Sequence, residues 1–209
     1  DQFTFTGGVD GPIGYKLEMM PLHPGLTGAL LGGFGEEARQ HITALPNTAA
    51  SIALLRDGFH EESPGGTVEL RDNGEPVLDY PVTEYLLDGA RRSLYTQVEM
   101  QFAAGARAVR PGHIRAPFYT SWAQAREAMA DLSYKALDVP LGSAHVMGGC
   151  PMGDEQHGLV DAQGRYRHLE NLYVFDGSVF PTSLGVNPQL SIYGLSARNA
   201  TALAERLRA

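Results

Sequence analysis

Apolar and polar positions alternate through Tyr15, Leu17 and Met19 against Lys16, Glu18 and Met20, the two-residue period of a half-buried strand. Pro21 and Pro24 end it, after a turn-rich opening stretch. EEARQHITA at 36–44 predicts a short helix stopped by Pro46, and SIALLRDG predicts the next strand, with a turn at Asp57-Gly58. In GTVELRDNGEPVLDY, Val68 and Leu70 alternate with Thr67, Glu69 and Arg71, and Asn73-Gly74 marks a hairpin turn. Beyond Thr83, a capping residue, Leu87, Ala90, Leu94, Val98 and Phe102 recur every three or four positions, so a long amphipathic helix should lie across the sheet and end near Gly105. TSWAQAREAMADL predicts a shorter helix, and the chain turns at Pro140-Leu141-Gly142.

From about 142 to 190 the pattern changes to a density of Gly, Pro and polar residues, the texture of loops that carry chemistry. Within it, Leu172–Phe175 of NLYVFDGS reads as a buried strand ending in Asp176-Gly177-Ser178. The last element is a helix over Pro188–Arg208 with Leu190, Tyr193, Ala197, Ala200, Leu203 and Leu207 along one side, Asn187 as its cap and Pro188 at its first position. Its small residues Gly194, Ala197 and Ala200 suit close approach to another backbone. Gly32-Gly33-Phe34-Gly35 lacks the spacing and flanking elements of a dinucleotide fingerprint and reads as a loop. The expected class is α+β, an antiparallel sheet with helices packed on it over residues 1–141, followed by a distinct segment over 142–209.

Composition narrows the function classes. With 43% hydrophobic and 19% charged residues the chain can build a sizeable core. A net charge of -8, from 24 acidic and 16 basic residues, disfavours nucleic acid as a partner. No apolar run reaches the roughly 18 residues of a membrane span. A single cysteine, Cys150, excludes an intramolecular disulfide framework.

The candidate chemistry lies in the loop-rich part. His145, in SAHVMGGC, has small neighbours that leave room for a ligand, and an imidazole exchanges protons near neutral pH. Taken alone, a lone histidine is more often a hydrogen-bonded core residue. Asn187, 42 positions on, either caps the final helix or holds a substrate oxygen. Its position beside a helix N-terminus also offers a field that favours a bound anion. Two other readings use the same residues. One is a hydrolase with Cys150 as nucleophile, His145 as base and Asn187 as orienting group; the other is a metal site of His145, Cys150, Asp154 and His157, whose spacing fits no strong zinc pattern, so no metal is expected.

The run H-x-M-G-G-C-x-M-G, then N-L-Y-V-x-D-G-S-x-F-P-T-S-x-G-V-N-P, then an Ala-rich helix, resembles the C-terminal signature of the glucose-methanol-choline (GMC) oxidoreductases over residues 142–206. GGC and GVNP are similar to the cholesterol oxidase and bacterial alcohol dehydrogenase branch, where the second catalytic residue is Asn. The resemblance implies oxidation of an alcohol CH–OH with hydride passing to flavin N5 of FAD. His145 would handle the hydroxyl proton and Asn187 the same oxygen. Asp176 and Gly177 would meet the ribityl and pyrophosphate region, and the backbone at Pro188 and Gln189 the flavin pyrimidine.

By the same resemblance, residues 1–141 would be the substrate-binding domain, matched more loosely through GTVELRDNGEPVLDY and the long helix, and 142–209 would return to complete an FAD-binding domain. The glycine-rich strand–turn–helix that holds the ADP half in this family does not occur in the chain. The expectation is therefore a fragment of a longer polypeptide, or a subunit whose partner chain supplies that part, with little FAD binding and no turnover alone. The alcohol stays open among aliphatic, aromatic and sterol types, as does oxidase against dehydrogenase. Tyr15, Phe118, Tyr119 and Trp122 are candidates for an apolar substrate pocket, with plain core as the alternative.

Overall fold

In the computed structural model the residues described are 2–4, 10–31 and 33–208. Three strands, β1 (Gln2–Thr4), β2 (Tyr15–Met20) and β3 (Ala50–Leu55), form an antiparallel sheet in the order β1-β2-β3. Tyr15 lies opposite Leu55 and Met20 opposite Ala50. A helical pair, α1 (Pro24–Leu31) and α2 (Glu36–Ala44), connects β2 to β3 and runs on into a single 3-10 turn at Leu45–Asn47. Strands β4 (Thr67–Leu70) and β5 (Pro76–Asp79) make a separate hairpin, its turn resting on Gly74 at φ 82°. Val68, Leu70 and Leu78 on it are exposed, so it adds no core of its own. The long helix α3 (Glu84–Ala103) and the shorter α4 (Trp122–Ala130) follow, and α5 (Gln189–Arg208) closes the chain.

The core forms where the sequence periodicities meet. Tyr15 and Leu17 are buried on one face of β2, and Leu87, Ala90, Leu94 and Val98 are the buried stripe of α3. Gly89 lets the helix and the chain entering β2 approach closely, since a Cβ there would stand 2.0 Å from Cγ2 of Ile13. The Thr83 hydroxyl accepts the Leu86 N–H and caps α3. Ala90, Leu94 and Val98 of that stripe pack with Tyr119, Ala125, Met129 and Val139. Beneath α4, the Asp138 carboxylate collects the Ser133 hydroxyl at 2.7 Å, the Lys135 N–H at 3.1 Å and the Arg115 guanidinium at 3.3 Å. These mixed helices and small antiparallel sheets match the expected α+β class.

Several expectations need correction. Helix α1 was not expected because Gly25 and Gly28 are poor helix formers. Here Pro24 starts it, and it packs on α2, where Ile42 lies 3.5 Å from the place of a Cβ at Gly28, an ordinary contact distance. Strand β1 falls in the stretch read as turn-rich, and it is an edge paired to β2. The expected strand at Leu172–Phe175 is reduced to an isolated bridge, Arg165 with Tyr173, because its backbone partner is the irregular 164–166 stretch rather than a strand. Of the four aromatic residues, Tyr15 and Tyr119 are buried core, Trp122 packs against it, and Phe118 is half-exposed beside His41. Helix α5 turns the expected apolar side outward, with Leu190 83%, Tyr193 60% and Leu207 75% exposed. What it packs inward is Ile192, Leu195, Ser196, Asn199 and, of the expected side, Leu203, which is half-buried. Nothing approaches within 4 Å of a Cβ at Gly194, so no close contact is made there among the described residues.

Met129 is completely buried, and Met129→Ala should cost about 2–5 kcal/mol of stability, measured by urea unfolding. The Ser133 hydroxyl, with the Lys135 N–H and Arg115, holds the Asp138 carboxyl below its ordinary value against the opposing effect of burial. A depressed folded-state value stabilises above the unfolded one and is lost as pH falls through the folded one. Asp138→Asn should therefore lower Tm at neutral pH and shrink the loss of stability below about pH 4, followed by thermal melts across that range.

Candidate active site

Two loop segments and one helix start are brought together by backbone hydrogen bonds. The Cys150 N–H donates to the Ser178 carbonyl at 3.0 Å and the Met152 N–H to the Val179 carbonyl at 2.8 Å, which sets the 144–152 loop alongside the DGS turn. Gly148 takes φ 86°, the left-handed region that favours glycine, where the loop bends past the Pro181 carbonyl. Gly177 fits between the Val146 carbonyl and the Ile192 side chain, which a Cβ would meet at 3.2 and 3.1 Å. Asp176 caps this turn, its Oδ1 accepting from Ser178 N at 2.8 Å and Ser178 Oγ at 2.5 Å.

The next segment is seated on the end of β3. The Thr182 hydroxyl donates to the Gly58 carbonyl at 2.6 Å across 124 positions of sequence. Gly185, at φ 68°, lies under the Arg56 side chain, whose Cγ would be 2.8 Å from a Cβ there. The chain then enters α5, whose first internal bond runs from Ile192 N–H to the Pro188 carbonyl at 2.9 Å. The helix thus starts one residue later than expected. The Asn187 amide is engaged away from the helix: Oδ1 accepts from Lys16 Nζ at 3.1 Å, and Nδ2 donates to Glu18 Oε1 at 3.3 Å. Lys16 and Glu18 are themselves paired at 3.1 Å, with side chains only 12% and 20% exposed.

His145 and Asn187 line one open cleft of about 300 Å³, with Ala144, Pro188, Ile192 and Tyr193 completing its walls. Gln189 lines the cleft as well and donates to the Tyr193 hydroxyl at 2.8 Å. Asp176 and Gly177 lie outside this lining, Gly177 behind Ile192, and α5 is tied to the same region by Ser196 Oγ donating to the Phe175 carbonyl at 2.7 Å. A hydroxyl entering the cleft meets a proton-exchanging ring, an amide and the first turn of a helix whose N–H groups lack internal acceptors.

The rival residue sets do not assemble. Cys150 is half-buried, and burial, then the Asp176 charge, pushes its thiol up, the opposite of an activated nucleophile. His157 Nδ1 is engaged by Asp154 at 2.8 Å on the surface, and among the described residues no group of three metal-ligating side chains comes together. Sequence reading passed over Lys16 and Glu18, taken only as the polar side of a strand. Their signal was two opposite charges two positions apart on one face of a half-buried strand, where isolated charges are costly.

The GMC oxidoreductase family model matches residues 62–196. An uncharacterized GMC-type oxidoreductase of Mycobacterium tuberculosis is 30% identical over 88% of the chain and 28% of its own length. A long-chain-alcohol oxidase of Arabidopsis thaliana is 27% identical over 84% of the chain and 24% of its own length. A cholesterol oxidase of Acinetobacter baumannii is 43% identical over 34% of the chain and 13% of its own length. The chain thus spans at most 28% of the length of these relatives. The match covers the loops that build the cleft as well as α3 and α4, and on it the chain belongs to the GMC oxidoreductase family.

Proposed function

We propose that this chain carries the substrate-facing residues of an FAD-dependent oxidoreductase acting on the CH–OH group of a small-molecule alcohol. The observation that carries the reading is the shared cleft: His145 and Asn187 arrive from segments 42 residues apart and face one space at the start of α5. In this reading residues 1–141 are the substrate-binding domain, and 142–209 complete an FAD-binding domain. The remainder of that domain comes from a preceding portion of the protein or from a partner chain, and the isolated chain is inactive. The outward Leu190, Tyr193 and Leu207 of α5 support this division, as an apolar helix side suited to such a covering.

The residues present fit the flavin. Asp176 uses one carboxylate oxygen within its own turn and is exposed, which suits the other to a ribityl hydroxyl. The first-turn N–H groups of α5, from Gln189 onward beside the Pro188 backbone, suit the negative edge of the pyrimidine ring. Bound there, FAD would supply the acceptor for the hydride of the alcohol carbon. His145 takes the hydroxyl proton at a ring nitrogen, so that no cationic carbonyl has to form as the hydride leaves. Asn187 fixes the same oxygen without competing for the proton. The alcohol oxidase and cholesterol oxidase named among the relatives support an alcohol as the substrate class.

The test is the visible spectrum of the chain, purified alone and again with the FAD-binding portion, before and after addition of alcohols. Flavin bands that bleach are expected in the second sample; none in either sample refutes the reading. In the FAD-loaded protein, His145→Ala should slow flavin reduction by roughly 10² to 10⁴ while FAD stays bound, and an unchanged rate in stopped-flow removes His145 from the reaction. Cys150→Ser should leave bleaching intact, since its thiol is held protonated by burial. Loss of turnover in Cys150→Ser with retention in His145→Ala would favour the hydrolase reading instead.

A further inference from the structure

The geometry points to Lys16 as a positioning residue that fixes which end of the Asn187 amide faces the alcohol, an inference that rests on the reading of the cleft above. The two ends of an asparagine amide are nearly equal in size but opposite in chemistry: the oxygen accepts and the nitrogen carries two donating hydrogens. Which end points into the cleft decides whether a substrate hydroxyl oxygen is met by a donor or by an acceptor.

Lys16, Glu18 and Asn187 close a ring of three hydrogen bonds. Lys16 Nζ reaches Asn187 Oδ1 at 3.1 Å, Asn187 Nδ2 reaches Glu18 Oε1 at 3.3 Å, and Lys16 Nζ reaches Glu18 Oε2 at 3.1 Å. An ammonium only donates, so the amide atom facing it is the oxygen; a carboxylate accepts, so the atom facing it is the nitrogen. A flipped amide would set donor against donor at Lys16 and acceptor against acceptor at Glu18. The pair is 12% and 20% exposed, so water screens it less than an ion pair on the open surface. Both side chains project from β2, where Lys16 and Glu18 are held in register with Leu54 and Ile52 of β3. A strand is a firmer base for such a constraint than the loop that carries Asn187.

The consequence concerns the direction of the substrate proton. Asn187 Nδ2 spends one hydrogen on Glu18 and keeps the second for the cleft. A hydroxyl oxygen that accepts this hydrogen turns its own proton away from Asn187 and toward His145 on the neighbouring wall. Lys16 acts on the reaction through Asn187, without touching the reacting atoms.

The experiment compares Lys16→Met, Lys16→Arg and the unsubstituted FAD-loaded protein, labelled with ¹⁵N at asparagine. In the unsubstituted protein the Asn187 side-chain amide protons should show nuclear Overhauser contacts to the Glu18 methylenes; contacts to the Lys16 ε-methylene in their place overturn the proposal without any variant having to fold. In Lys16→Met the Asn187 amide resonances should move toward those of a free amide. The limiting rate of flavin reduction should fall about 10- to 100-fold, as for a misplaced orienting group, with a smaller change in half-saturating alcohol. Lys16→Arg, which keeps a donor, should restore the amide resonances. Resonances in Lys16→Met identical to those of the unsubstituted protein overturn the proposal. If no alcohol bleaches the flavin in the unsubstituted protein, the alcohol reading fails, and the amide resonances still decide the role of Lys16.

Discussion

The candidate site depends on the seating of residues 182–187 against the sheet. One hydroxyl-to-carbonyl bond, from Thr182 to Gly58, and one glycine without a side chain, Gly185 under Arg56, bring the late segment onto the end of β3. Gly58, at φ 91°, leaves no room for a Cβ, which would stand 2.3 Å from the Thr182 oxygen. Once that seat is fixed, Asn187 falls within reach of Lys16 and Glu18 on β2, and α5 starts at the edge of the cleft. The amide, the helix start and the sheet are therefore coupled through a few close contacts between residues far apart in sequence.

The two parts of the chain are held by different means. Up to about residue 141 the stabilisation is apolar burial around α3, with Leu94, Val98, Ala125 and Met129 at its centre. Beyond that point the buried hydrophobic side chains are few, Val160 and Val179 among the described residues, and order comes from backbone bonds between loops, such as Cys150 to Ser178 and Val174 to Gly164. Glycines are necessary there because the backbones approach closely. At Gly153 and Gly158 a Cβ on either residue would meet the backbone of the other, at 3.0 and 2.3 Å. Loops fixed in this way hold His145 in a defined place at the cleft without enclosing it.

The electrostatics argue against Cys150 as a nucleophile. Cys150 lies behind the DGS turn, where burial and Asp176 keep the thiol protonated. His145 lines the cleft together with Asn187, whose amide contacts Lys16 and Glu18. The chain belongs to the GMC oxidoreductases, and among the described residues no helix is long and apolar enough to cross a membrane.

Much of the fold was legible because it follows from periodicity. The alternation at Tyr15–Met20, the Asn73-Gly74 turn and the Thr83 cap each have a local cause, and each element appears where that cause places it. Helix α1 was not legible, since its glycines argue against a helix and only its packing on α2 supports one. The buried strand at Leu172–Phe175 failed for the converse reason: its local pattern is strong, but a strand exists only with a partner. In the site, the sequence by itself determined the residue types, His145 among small neighbours and Asn187 before a proline, and through them the family. Tertiary structure alone decided that the two share a cleft, that Asn187 turns from the helix to Lys16 and Glu18, and that the apolar side of α5 faces outward. These rest on contacts between segments far apart in sequence, 171 positions for Asn187 with Lys16, or on the sidedness of a packed helix, and local residue order does not encode either.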